Sequence, residues 1–321
     1  MAIALERLTQ PFAPLTEDDA RTLLTDTWGM YSITIERLET ERDDTFRART
    51  LDGVVTLKVA HPGDRIDVIE LQTSALAHVA AADPGIPLQR VVPALNGRTL
   101  VTTRYRIARV MTWLEGALLH DMPQGRKVLR DAGTVLGRLN RALSDFEHDA
   151  ADRELAWDIA RLSELRPHAS EPLMQRVLDR FEAEVAPVLP DLPHQIVHND
   201  FHPANVLVDA RRGTTVTGVL DFGDVVRTAR VCDLAVALAY LVPDAPPPWP
   251  GVRAFREGFE SIVPLSDAER DVLPILVAGR TLMRTVINRA MNPHADDDLG
   301  EFYERNSRKL ASLLAIGPSA L

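Results

Sequence analysis

The chain has 321 residues, with 36 Lys and Arg against 46 Asp and Glu, a net charge of −10, and 45% apolar residues. It is too apolar to be intrinsically disordered, and its acidic balance disfavours non-specific binding to nucleic acid. A membrane span needs about 18 uncharged apolar residues, and no such run occurs; with a single cysteine, Cys232, and Glu6 and Arg7 interrupting any N-terminal apolar leader, a cytoplasmic protein without disulfides is expected.

Thr16-Glu17-Asp18-Asp19 resembles a capping box with Asp in place of the usual Glu, opening a short helix that runs to Trp28 and stops at Gly29. Strands are predicted at 32–38, 45–49 and 54–60, and Asp52-Gly53 between the last two is a hairpin signal. The spacing of Ile66, Ile69, Leu76 and Val79 predicts a helix over 65–82, ended by Asp83-Pro84-Gly85. Two further strands are expected at 98–103 and 107–114. From Gly116 the pattern turns helical, over 125–146, 153–165, 172–185, 231–242, 252–259 and 268–291. Short strands at 206–208 and 216–220 interrupt it, and the proline-rich run 242–250 reads as a stiff loop. The expected fold class is α+β and bilobal: a small β-rich nucleotide-binding lobe, 1–114, and a larger, mainly helical lobe, 115–321, with catalytic and acceptor-binding residues.

The chemistry concentrates in His198-Asn199-Asp200-Phe201-His202-Pro203-Ala204-Asn205, an H-x-D-x-x-x-x-N pattern. It is followed sixteen residues after Asn205 by Asp221 in Leu220-Asp221-Phe222-Gly223-Asp224. Phosphoryl transfer from a nucleotide needs a carboxylate that accepts or orients the attacking hydroxyl, here Asp200. It also needs an amide oxygen and a second carboxylate for Mg²⁺, here Asn205 and Asp221. A hairpin turning at Arg211-Arg212-Gly213 would bring Asn205 and Asp221 to one end. The same chemistry predicts a strand lysine for the nucleotide phosphates. Lys58 meets this, in a chain with only three lysines (Lys58, Lys127 and Lys309) beside 33 arginines. Glu70, the only glutamate of the next helix, is the expected ion-pair partner of Lys58.

With these parts in order, the chain resembles the aminoglycoside phosphotransferase and choline kinase superfamily of small-molecule kinases, relatives of the protein kinases. His198, Asp200, Asn205 and Asp221 stand where that family has its catalytic loop and metal aspartate. No G-x-G-x-x-G precedes Lys58 and no A-P-E follows Asp221; Cys232-Asp233-Leu234-Ala235 comes at once instead. The spacing from Asn205 to Asp221 is a few residues longer than in many relatives. Three stretches resemble hydroxylysine kinase-like proteins: Glu41-Arg42-Asp43-Asp44-Thr45-Phe46-Arg47, Leu155-Ala156-Trp157-Asp158, and Gly218 to Asp224 with Asp233 to Ala237.

The resemblance implies a bilobal kinase-like fold, ATP or GTP as donor, Mg²⁺, and a hydroxylated amino acid or amino alcohol as acceptor. Homoserine or choline kinase-type enzymes, an aminoglycoside resistance kinase, and a nucleotide-binding pseudokinase are the competing readings. It places Arg42 and Phe46 in the nucleotide loop, Met111 flanking the pocket, and backbone groups from Thr112 to Leu114 at the purine edge. An acceptor ammonium needs a carboxylate, with Asp158 beside Trp157 as candidate; an acceptor carboxylate favours an arginine, with Arg227 and Arg280 or Arg284 as candidates. Asp224 would assist the metal or cap the following turn. Asp296-Asp297-Asp298 reads as a solvated acidic turn. Asp233, buried in an apolar helix, is expected to brace the catalytic loop.

Overall fold

A computed structural model describes residues 12–40, 43–103, 106–291, 296–317 and 321. The first helix, α1 (Glu17–Trp28), begins as predicted: Asp19 N donates to Thr16 Oγ1 at 3.1 Å and Thr16 N donates to the Asp19 carboxylate at 3.0 Å. Gly29 ends it in the left-handed conformation at φ 67°, where a side chain would be strained. Strands β1 (Ser32–Leu38), β2 (Asp44–Thr50) and β3 (Gly53–Val59) form an antiparallel meander. It is continued by β6 (Ile107–Thr112), which carries β4 (Val91–Val92) and β5 (Val101–Thr102).

The two-residue period of these strands sorts their side chains onto two faces. Phe46, Leu57 and Val110 are in register, as are Val59 with Ala108 and Ala48 with Val55; all are buried in one core with α1. Thr45, Lys58 and Arg109 are in register on the other face, as are Arg47, Thr56 and Met111. That face looks toward α2 (Ile66–Ala82) and the larger lobe. The larger core takes in Leu71, Ala75, Leu76 and Val79 of α2 together with Met111.

In the larger lobe, β9 (Val206–Val208) and β10 (Val216–Val219) form the expected hairpin, with Gly213 at φ 59° in its turn and β7 (Ala117–Leu118) alongside β9. A second pair, β8 (His194–Val197) with β11 (Val226–Ala229), was not anticipated; each strand is only four residues long. The helices are α3 (Arg126–Ala142), α4 (Pro172–Arg180), α5 (Val231–Leu241), α6 (Pro250–Glu260), α7 (Asp267–Met291) and α8 (Asp296–Leu314). The helix predicted at 153–165 is instead a run of 3₁₀ turns over Ile159–His168, kinked at Arg161 and containing Pro167. The acidic run at 296–298 lies in α8 rather than in a turn. Among the described residues no helix is long and apolar enough to cross a membrane.

The helices α3 and α6 touch backbone to backbone at two glycines. A Cβ on Gly133 would lie 1.9 Å from the Phe255 carbonyl oxygen, and one on Gly258 would lie 2.1 Å from that of Arg130. Neither backbone can yield without separating the helices. Gly133→Ala and Gly258→Ala are each expected to destabilise the protein by about 2–3 kcal/mol. Thermal unfolding checks this, and an unchanged midpoint for both would show that the helices can separate freely.

Candidate active site

The catalytic loop leaves β8 at His198. It bends at Asn199, which sits at φ 62°; the Asp221 backbone sits at φ 58°. Non-glycine residues in this region are uncommon and strained, and such strain collects at functional sites. Asp233 of α5 holds the bend: its Oδ1 accepts from Asn199 N at 2.7 Å and its Oδ2 from Asn140 Nδ2 at 2.6 Å. Burial pushes the Asp233 carboxyl up, while nearby His198 and these hydrogen bonds work against that. His198 is fully buried. Its Nδ1 accepts from Asp200 N at 3.2 Å, so its Nε2 donates to the Leu220 carbonyl at 3.1 Å. His198, expected as catalytic, therefore ties the loop to the residue before Asp221 and is enclosed away from reactants.

The carboxylate of Asp200 is held from three sides. Asn205 Nδ2 donates to its Oδ2 at 2.7 Å, Arg280 Nη2 donates to its Oδ1 at 3.2 Å, and His202 Nε2 lies 3.4 Å from Oδ2. Leu220 N donates to the Asn205 carbonyl at 2.8 Å, so the hairpin delivers Asn205 and Asp221 to one end. The Oδ1 of Asp221 accepts from Gly223 N at 2.9 Å and lies 3.7 Å from Lys58 Nζ. Lys58 holds the Asp221 carboxyl below the usual range against the effect of burial. Asn205 Oδ1 and Asp221 Oδ2 have no donor among the described residues, and both are hard oxygen ligands. No group of three or more His, Cys, Asp and Glu that could hold a metal occurs among the described residues. Two oxygen donors fit a hard divalent cation such as Mg²⁺, which fills its shell with water and phosphate oxygens.

The roof differs from expectation in two places. Lys58 pairs with Asp43 at 3.8 Å and with Asp221, not with Glu70, which is exposed. The inner side of α2 is taken by Ile69, Gln72 and Thr73, and a residue two positions from Gln72 points about 200° away from it. Phe46 is fully buried in the core beneath α1, on the sheet face opposite Lys58, because it neighbours Thr45 on a pleated strand. Arg42 lies outside the described residues. Met111 is buried on the Lys58 face. Thr112 N already donates to Arg90 O (2.9 Å), its carbonyl accepts from Gln89 Nε2 (3.1 Å), and Trp113 N donates to Val54 O (3.3 Å). Of the expected purine-edge residues, Leu114 alone has an N–H with no acceptor among the described residues.

On the acceptor side, three candidates have other employment. Asp158 is 6% exposed, accepts from Ala160 N (3.1 Å) and from Thr228 Oγ1 (3.0 Å), and caps a 3₁₀ turn; burial pushes its carboxyl up. Arg227 is bound by Glu147 and Asp152. Arg280 is 1% exposed and spent on Asp200 and on the Trp157 carbonyl (2.7 Å), with its guanidinium 4.9 Å from the Trp157 ring. It orients the carboxylate of Asp200 and has no reach for an acceptor. Asp224 is pushed up to about 7 by burial and by Asp200 and Asp221 nearby, against Arg153 and Arg280.

Arg284, a candidate for the acceptor carboxylate, sits among residues that were not anticipated, Tyr240 and Lys309. Tyr240 stacks on His202 with ring centres 4.4 Å apart, and the Arg284 guanidinium lies 3.8 Å from the Tyr240 ring. Lys309 joins this group; its ammonium is pushed down to about 8 by burial, Arg284 and Arg305. Its rarity in the chain was the one available signal.

The phosphotransferase enzyme family matches residues 34–265. A hydroxylysine kinase of Danio rerio is 26% identical over 317 residues, spanning 90% of this chain and 89% of that protein. A homoserine kinase of Gluconacetobacter diazotrophicus is 31% identical over 209 residues, spanning 62% of this chain and 63% of its own. The fold is shared with a microcompartment-associated aminopropanol kinase (TM-score 0.73, 19% identity, 92% and 95% of the two chains). It is shared equally with an amicoumacin kinase solved with AMP-PNP and Ca²⁺ (TM-score 0.73, 13% identity, 99% and 97%). With Asp200, Asn205, Asp221 and Lys58 assembled at one place, and a family match across most of its length, this chain belongs to the phosphotransferase enzyme family.

Proposed function

We propose that the enzyme transfers the γ-phosphoryl group of ATP or GTP, with Mg²⁺, to the hydroxyl of a small acceptor that carries both an ammonium and a carboxylate. The convergence of Asp200, Asn205, Asp221 and Lys58 supports the transfer chemistry. Asp200, its oxygens held by Asn205 and Arg280, orients the hydroxyl and takes its proton as the bond to phosphorus forms. Lys58 neutralises charge on the phosphates. Held by Asn205 and Asp221, Mg²⁺ would supply further charge neutralisation at the transferred group. The purine edge meets the backbone at Leu114. The structural neighbour bound to AMP-PNP and Ca²⁺ supports a nucleotide with a divalent ion.

The acceptor class rests on Arg284. It is half-buried, stacked on Tyr240, and has no acid within ion-pair distance among the described residues; Lys309 and Arg305 add like charge. A partly buried unpaired cation is costly, and an acceptor carboxylate removes that cost. Asp224 offers the opposite charge near Asp200 for an ammonium. A polycationic aminoglycoside would meet repulsion from Arg284, Arg305 and Lys309. Two relatives are named for kinases of hydroxylysine and homoserine, both hydroxy amino acids, which agrees with this reading.

Nucleoside diphosphate release should be measured against 5-hydroxylysine, homoserine, ethanolamine, choline and several aminoglycosides. Turnover is expected with a hydroxy amino acid, and turnover confined to aminoglycosides would overturn the acceptor class. Asp200→Ala is expected to lower kcat by about 10³-fold with nucleotide affinity retained, within the usual range for a lost general base. Undiminished turnover would remove Asp200 from its role. The Lys309 cation exists below about 8 and is lost as pH rises through it. The acceptor KM is therefore expected to rise above that pH, and to rise less in Lys309→Met. An identical profile in the variant would place the acceptor carboxylate elsewhere.

A further inference from the structure

Arg109 lies directly across the sheet from Lys58, in register on the same face. Two cations placed opposite each other repel, and a strand pair normally avoids this arrangement. Arg109 is also only 4% exposed. Its hydrogen bonds go to neutral groups of α2: Nη2 donates to Gln72 Oε1 at 2.6 Å and Nη1 donates to Thr73 Oγ1 at 3.4 Å. No acid lies within ion-pair distance among the described residues. Burial alone disfavours its charge, and the carboxylates that oppose this from further off are Asp43, Asp221 and Asp64. Asp43 and Asp221 are also the two acids that Lys58 pairs with.

A guanidinium that only joined β6 to α2 would be expected to face an acid. The position facing it is Gln72, a glutamate isostere without charge. Glu70, the one glutamate of α2, points outward. The helix therefore neutralises neither Lys58 nor Arg109, and the roof keeps positive charge aimed at the side where Asp221 lies. Gln72 spans a further gap: its Nε2 donates to the Gly223 carbonyl at 3.4 Å, two residues past Asp221. One neutral side chain thus fixes Arg109 and touches the metal-site loop.

Building on the nucleotide reading above, we infer that Arg109 is a second cation of the triphosphate site, a positioning residue that acts with Lys58 on the phosphates and is kept uncompensated by Gln72. A polyphosphate brings the negative charge that α2 does not supply. The field of Arg109 reaches the phosphates through a desolvated region, where charge interactions are stronger than in water.

Calorimetric titration of the full chain with a non-hydrolysable ATP or GTP analogue plus Mg²⁺, and in parallel with adenosine or guanosine, tests this. Arg109→Met and Gln72→Glu are each expected to weaken the triphosphate analogue about tenfold, as for a lost buried charge contact, and to leave the nucleoside affinity unchanged. Arg109→Lys, which keeps the charge, is expected to recover most of the loss. Gln72→Glu separates the two roles: it gives Arg109 an acid and should raise the melting temperature while weakening the triphosphate. If Gln72→Glu binds the triphosphate as tightly as the parent, Arg109 only packs α2 onto the sheet, and the inference fails even where Arg109→Met does not fold. If the parent protein binds no nucleotide, the functional reading itself fails, and this inference with it.

Discussion

Asp233 carries no reacting group, yet the reaction centre depends on it. Its two oxygens accept from the Asn199 amide and from Asn140, in a fully buried position. That pair of bonds holds Asn199 in a left-handed bend. The bend aims Asp200 outward, while buried His198, one residue earlier, reaches across to the Leu220 carbonyl and sets the approach to Asp221. A carboxylate buried without such donors would be strongly destabilising, so the fold and the loop geometry require each other.

Around this frame the charges are sorted by depth. The cations that act as struts are buried and paired: Arg280 with Asp200, and Arg106 with Asp44 beneath the sheet. Others are left without an acid among the described residues: buried Arg109 in the roof and half-buried Arg284 against Tyr240. A protein that only needed stability would fill such positions with apolar residues of similar volume. Arg109 lies within the field of Asp221 and Arg284 within that of Asp200. In the proposed reading the first serves the triphosphate and the second the acceptor.

Much of this was legible along the chain. The capping box at Thr16, the three-strand meander, the hairpin turning at Gly213 and the H-x-D-x-x-x-x-N spacing each depend on residues a few positions apart. Local sterics and hydrogen bonding decide such features, so the amino-acid order carries them. The co-location of Asp200, Asn205 and Asp221 followed from one hairpin and needed no knowledge of packing. The helix expected at 153–165 did not form: from Ile159 the chain runs in 3₁₀ turns, kinked at Arg161.

The partners of long charged side chains were a different matter. Glu70 was matched to Lys58 by its position in the order of elements, but the rotation of α2 against the sheet turns it outward and presents Gln72. Phe46 was assigned to the nucleotide loop, whereas strand parity sends it into the core. Arg227, Arg280 and Asp158 are chemically apt for a substrate, yet their ends are claimed by Glu147, Asp200 and Thr228, which lie 70 or more residues away in the chain. Sequence by itself determined the fold class, the family and the backbone-borne core of the reaction centre, because those rest on local spacing. Tertiary structure alone decided which cation is paired and which is free, because a flexible side chain's partner is set by the packing of distant elements.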